Sequence, residues 1–140
     1  MLKPAPVVLS GAALFLSAAP AFAAQDQPVT MGGIETVCTG VGSAKDNPAW
    51  NGYPVKLVFA NSAGEDLAAV HVAISRGGNT VMETDCDAPW LLLKAPAGNY
   101  GVTATINGAM GRSATAQFSG GGGAQKTITL TFPKQSASAQ

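Results

Sequence analysis

The chain predicts an all-β fold, a single antiparallel seven-stranded β-sandwich. Three observations lead there. Apolar and polar residues alternate with a period of two in run after run from Tyr53 onward. Turns bearing glycine or proline recur roughly every 8–12 residues. No stretch carries the 3.6-residue period of a long helix.

The elements follow in order. Residues 24–52 are expected to form an N-terminal leader. Within it, Ala24 to Gly33 is rich in Gln and Pro and ends in paired Gly, Ile34 to Cys38 forms a short strand, and Gly40-Val41-Gly42 breaks that strand. Ser43 to Asn47 makes one helical turn with Ser43 as its N-cap, and Pro48 ends it. The sandwich itself is expected over residues 53–133. Val55, Leu57 and Phe59 alternate with Lys56 and Val58. After the polar loop Asn61 to Asp66, the residues Val70, Val72 and Ile74 alternate with His71, Ala73 and Ser75. Arg76-Gly77-Gly78-Asn79 is a hairpin turn, because Gly tolerates the positive φ that two-residue turns require. Thr80 to Cys86 returns, and Asp87-Ala88-Pro89 interrupts. Trp90 to Lys94 is a short apolar strand, with Trp90 expected in the core. Ala95-Pro96-Ala97-Gly98 turns the chain. Tyr100, Val102, Ala104 and Ile106 share a face, and Asn107-Gly108 is the next turn. Ala114, Ala116 and Phe118 alternate, Gly120 to Gly123 is a flexible loop, and Ile128, Leu130 and Phe132 alternate with Thr127, Thr129 and Thr131. Residues 134–140 are a polar tail with nothing to bury and are expected to be disordered.

The first 23 residues have the pattern of a cleaved signal peptide. Lys3 precedes an apolar run from Val7 to Ala19, and Ala21-Phe22-Ala23 supplies small residues at −3 and −1. The run is too short for a lasting membrane span, although an uncleaved anchor is the alternative. Removal of Lys3 from 8 basic and 8 acidic side chains leaves one acidic group in excess. That balance offers no electrostatic basis for binding nucleic acid or an anionic membrane. The mature chain is therefore expected to be periplasmic or secreted, with no membrane span. In an oxidising compartment Cys38 and Cys86 most simply pair within the chain. Two buried free thiols or an intermolecular bond are the competing readings. No C-x-x-C points to redox work.

Two stretches carry a family resemblance: Tyr53-Pro54-Val55-Lys56-Leu57-Val58-Phe59, and Cys86-Asp87-Ala88-Pro89-Trp90-Leu91-Leu92-Leu93-Lys94-Ala95-Pro96-Ala97-Gly98-Asn99-Tyr100-Gly101-Val102-Thr103-Ala104. Together they resemble exported bacterial proteins of the carboxypeptidase regulatory-like type, which share a transthyretin-like sandwich. Ala95 stands where that family more often has Leu. The resemblance spans about residues 53–132 and implies a non-catalytic module. Physically, Pro96 and Gly98 form the corner, and Tyr100 can bury its ring while its hydroxyl returns to the backbone, as in a tyrosine corner.

The sequence offers little for catalysis. No H-x-x-E is present, and His71 is the single His, so no His pair exists to hold zinc. The chain resembles hydroxyisourate hydrolases in architecture alone, since it ends Ser136-Ala137-Ser138-Ala139-Gln140 rather than Tyr-Arg-Gly-Ser. A hydrolase centred on His71 lacks a G-x-S-x-G nucleophile, and an exposed strand His is the simpler reading. Glu83, Asp85 and Asp87 would share one side of a strand, either as a Ca²⁺-attracting group or as a solvated edge. The glycine run lacks the Gly-Lys-Ser/Thr of a phosphate loop. No cofactor or metal is called for.

The expected function is a non-enzymatic exported module, a protein-interaction domain or structural accessory whose partner is an envelope protein. The alternative is an envelope carbohydrate-binding module, in which Trp50 or Tyr53 stacks on a sugar and Asn47 and Asn51 supply hydrogen bonds. Against that, Trp50 caps one end of the sandwich.

Overall fold

The structure, a computed structural model, describes residues 25–106 and 113–133. The expected signal peptide, the expected turn at Asn107-Gly108 and the expected tail at 134–140 lie outside the described residues. Among the described residues nine strands form: β1 (Val29–Met31), β2 (Ile34–Thr39), β3 (Val55–Asn61), β4 (Val70–Arg76), β5 (Asn79–Cys86), β6 (Trp90–Lys94), β7 (Gly98–Ile106), β8 (Ser113–Gly120) and β9 (Lys126–Phe132). They make a five-stranded sheet in the order β1-β2-β6-β3-β9 and a four-stranded sheet in the order β5-β4-β7-β8.

Period-two alternation explains how the sheets meet. Leu57 and Phe59 of β3, Leu91 and Leu93 of β6, and Leu130 and Phe132 of β9 point inward from one sheet. Val70, Val72 and Ile74 of β4 and Val102 and Ala104 of β7 point inward from the other. Together they form one continuous buried cluster, the packing of a sandwich. Each fully buried aliphatic or Phe side chain contributes about 1.5–3 kcal/mol of transfer free energy.

Three expectations need correction. The strand count is nine, not seven, because β1 and β2 join the sheet. Residues 25–52 are therefore not a leader outside the sandwich. Gly32 and Gly33, at φ 58° and 80°, turn β1 back onto β2, whose Ile34 and Cys38 enter the main core. The sheets are also not wholly antiparallel, since β9 pairs with β3 in parallel, Val55 opposite Lys126 through Asn61 opposite Phe132. The loop from β8 crosses from one sheet to the other, so β9 arrives beside β3 in the same direction.

The single helical turn expected at Ser43–Asn47 is instead two short 3-10 turns, Gly42–Asp46 and Pro48–Gly52. Ser43 is not the N-cap: Val41 holds that place in extended conformation, with no side-chain cap. Pro48 opens the second turn, where its missing N–H costs nothing, and the Asn47 side chain accepts from the Ala49 N–H at 2.9 Å. Trp90 is also misplaced by the sequence reading. It is half-buried on the outer face of the five-stranded sheet, with Gly40 against its indole and the Lys56 ammonium 3.5 Å from its ring centroid.

The corner at Pro96 holds as a packed unit. The Tyr100 hydroxyl donates to the Pro96 carbonyl at 2.8 Å, and its ring stacks on Phe118 with centroids 4.9 Å apart. Gly120 lies so close to this corner that a Cβ there would sit 2.1 Å from the Pro96 oxygen.

Candidate functional site

Two places gather chemistry, one on the outer face of each sheet. The first is the segment of 3-10 turns. Val37 of β2 and Leu92 of β6 point away from the main core, and an uncovered pair of aliphatics there would face water. Trp50 and Tyr53 cover them, forming a second, smaller buried cluster. Trp50 is 7% exposed and Tyr53 5%. Their rings meet edge to face at 6.2 Å between centroids. The Trp50 indole N–H donates to the Ala44 carbonyl at 2.8 Å. The Tyr53 hydroxyl donates to Glu35 Oε2 at 2.5 Å, and Lys94 lies 5.0 Å from the Tyr53 ring centroid. Burial, then the hydrogen bond to Glu35, then the carboxylate charge raise the Tyr53 pKa, so its phenol stays protonated. The Gln125 amide closes the far side, donating to the carbonyls of Trp50 at 2.9 Å and Tyr53 at 3.1 Å. Trp50 thus caps a sheet face and presents no open ring face to a sugar. Asn47 is committed to its turn, and Asn51 is exposed.

The second place is the outer face of the four-stranded sheet. The β4–β5 hairpin turns at Gly77 and Gly78, with φ 61° and 85° as a type I′ turn demands. Counting back from that turn places Thr84 opposite His71. A bulge between Ile74 and Ser75 shifts the register by one residue, and Asp85 stands opposite His71 instead. His71 Nδ1 then lies 2.8 Å from Asp85 Oδ1, and Nε2 lies 2.9 Å from Glu83 Oε1. The hydrogen bonds to Asp85 and then Glu83 outweigh the opposing effect of burial and raise the His71 pKa above its usual 6.5. When protonated, the ring donates from both nitrogens and neutralises one of the two carboxylate charges.

This arrangement limits the chemistry. A hydrolytic triad needs a hydroxyl at the nitrogen that faces away from the orienting carboxylate. Here that nitrogen meets Glu83. Asp87, expected to join Glu83 and Asp85, lies beyond the end of β5. Among the described residues, no group of three or more His, Cys, Asp or Glu side chains is arranged to hold a metal ion. Beside the cluster, the face is flat and built of small polar residues. Gly101, with no side chain between Ser75 and Gln117, leaves an open depression of about 190 Å³ bordered by Thr103 and Thr115.

Cys38 and Cys86 form a disulfide with Cα atoms 5.7 Å apart. It joins β2 of one sheet to β5 of the other and lies wholly inside the core. Among the described residues no helix is long and apolar enough to cross a membrane.

Sequence reasoning missed the carboxylate partners of His71 and the second buried cluster. The first was within reach, since Glu83 and Asp85 lie on the strand that returns from the His71 strand, but the bulge that aligns them has no clear sequence signature. The second left a trace in the outward-facing Leu92, an aliphatic where alternation calls for a polar residue. No protein-family model matches this chain, and a search of curated proteins also finds no match.

Proposed function

We propose that this chain is an exported, non-enzymatic β-sandwich module of the transthyretin-like, carboxypeptidase regulatory-like type, acting as a protein-interaction domain or structural accessory of the envelope. The observation that carries the reading is the state of His71. The one imidazole in the sequence has both ring nitrogens engaged by carboxylates, at 2.8 and 2.9 Å, which leaves neither nitrogen open to a substrate. The Cys38–Cys86 bond supports export, because such bonds persist in oxidising compartments. The Pro96–Tyr100 corner supports the family resemblance.

The test is crosslinking of the tagged protein in its native envelope, followed by affinity capture and mass spectrometry. A single reproducible protein partner is expected. Capture of envelope glycan in place of protein would overturn the reading in favour of carbohydrate binding. Loss of a measurable hydrolytic activity in His71→Ala would overturn it in favour of an enzyme.

A further inference from the structure

The second 3-10 turn, Pro48–Gly52, holds a reactive dipeptide under restraint. Among the described residues, Asn51-Gly52 is the one Asn-Gly pair; the other Asn residues precede Pro48, Ser62, Thr80 and Tyr100. The carbonyl carbon of an Asn side chain is open to attack by the backbone nitrogen of the next residue, and a Cβ on that residue hinders the approach. Gly52 has no Cβ, and nothing lies within 4 Å of where one would stand. Both Asn51 and Gly52 are exposed, yet they lie between Trp50 and Tyr53, which are buried. The turn opposes the attack. A 3-10 backbone keeps ψ of Asn51 in the helical range and aims the Gly52 nitrogen along the turn, away from the Asn51 side chain. The turn is clamped on both flanks of the pair. The Gln125 amide donates to the Trp50 carbonyl at 2.9 Å and the Tyr53 carbonyl at 3.1 Å, and the Trp50 indole N–H donates to the Ala44 carbonyl at 2.8 Å.

We propose that Asn51 is a site of spontaneous deamidation, that opening of this clamped turn sets its rate, and that the isoaspartyl product releases the Trp50–Tyr53 cover. The Gly52 nitrogen bonds to Asn51 Cγ, the Cγ–Nδ2 bond breaks, and ammonia leaves carrying the Gly52 proton. A cyclic imide remains, and water opens it at either carbonyl. One opening gives an aspartyl residue with the normal backbone. The other gives an isoaspartyl residue, whose main chain runs through Cβ and Cγ and is one carbon longer. That carbon enters between two rings seated on the same aliphatic pair, Val37 and Leu92. Trp50 and Tyr53 then no longer fit their places together, and Val37 and Leu92 meet water. The inference stands apart from the identity of any envelope partner, because it is read in purified protein alone.

The experiment is incubation of the oxidised protein at mildly alkaline pH, followed by trypsin digestion and mass spectrometry of the peptide Asp46–Lys56. Asn47 in that peptide is silent, since the Pro48 nitrogen carries no proton to lose. Amide-to-acid conversion at Asn51 is expected, slower than in the isolated peptide by at least about tenfold. Gln125→Ala is expected to speed it by at least about fivefold. Trp50→Phe, which keeps a ring but loses the donor to Ala44, is expected to speed it as well, with circular dichroism showing that both variants fold. Gly52→Ala is expected to suppress it. The isoaspartyl form, separated by ion exchange, is expected to show the Trp emission of an exposed indole and a lower urea midpoint. Asn51→Asp carries the charge without the extra carbon and is expected to keep the unmodified emission and midpoint. No conversion while the isolated peptide converts overturns the proposal. So does conversion as fast as in the peptide, a rate unmoved by both Gln125→Ala and Trp50→Phe, or an isoaspartyl form with unchanged emission and midpoint.

Discussion

Reduction of the Cys38–Cys86 bond is expected to remove about 4 kcal/mol of stability. The bond closes a loop with a sequence separation of 48. In the chain-entropy model, a loop of that length lowers the entropy of the unfolded chain enough to give about 4 kcal/mol at 25 °C. The position of the bond favours the full effect. It joins strands of different sheets inside the core, so its loop contains β3, β4 and most of β5, which must otherwise find β2 through a long closure. The assay is urea unfolding of oxidised and reduced protein, followed by Trp fluorescence, with Cys38→Ala/Cys86→Ala as a reductant-free control. With a urea slope of about 1–3 kcal/mol per molar, the midpoint should fall by about 1.3–4 M. The slope should rise in the reduced protein, because its unfolded chain exposes more surface. A loss below about 1 kcal/mol with an unchanged slope would refute the argument. It would mean that the unfolded chain keeps β2 near β5 without the bond.

Other substitutions test other parts of the structure. Gly120→Ala should cost about 2 kcal/mol by urea unfolding, since its Cβ would sit 2.1 Å from the Pro96 oxygen, whereas Gly122→Ala, with nothing within 4 Å, should change stability by less than about 0.5 kcal/mol. Trp50→Ala should cost about 3 kcal/mol by the same measure while leaving glycan retention unaltered, because its ring packs on Val37 and Leu92 rather than facing a ligand. His71 has a folded pKa raised above its unfolded value, so its contribution is fully present below about pH 6.5 and is lost as pH rises through the folded pKa. Its side chain is 39% exposed, and solvent screening limits the effect to about 1 kcal/mol or less. Wild type should therefore lose stability relative to His71→Gln between pH 6 and 9, and proton NMR of the ring should place its titration above 6.5. A flat difference across that range would remove the ion-pair account.

The strands from Tyr53 onward were readable because half-buried strands impose their period directly on the residues. Val55-Leu57-Phe59 and Ile128-Leu130-Phe132 each mark one buried face. The Gly77-Gly78 turn was readable because only certain residues accept positive φ at two successive positions. Trp90 was misjudged because size and apolarity identify a residue that seeks contact, not the face on which it finds it. In β6 both faces are covered, so Leu91, Leu92 and Leu93 read as a continuous run and alternation cannot orient Trp90. The candidate sites divided in the same way. The pairing of Cys38 with Cys86 followed from compartment chemistry, whereas the roles of Trp50 and Tyr53 depended on which surface their turns lie against.

By itself, the sequence determined an all-β chain, most strand positions from Tyr53 onward and the hairpin turn at Gly77-Gly78. These depend on the local period and on backbone preferences, both of which are properties of neighbours along the chain. The tertiary structure decided the entry of β2 between β1 and β6, the parallel union of β3 with β9, the covering of Val37 and Leu92, and the placing of Asp85 opposite His71. Each of these joins residues distant in sequence. Strand order depends on which apolar faces must be covered together, and register depends on a bulge of one residue, so neither is written in any single segment.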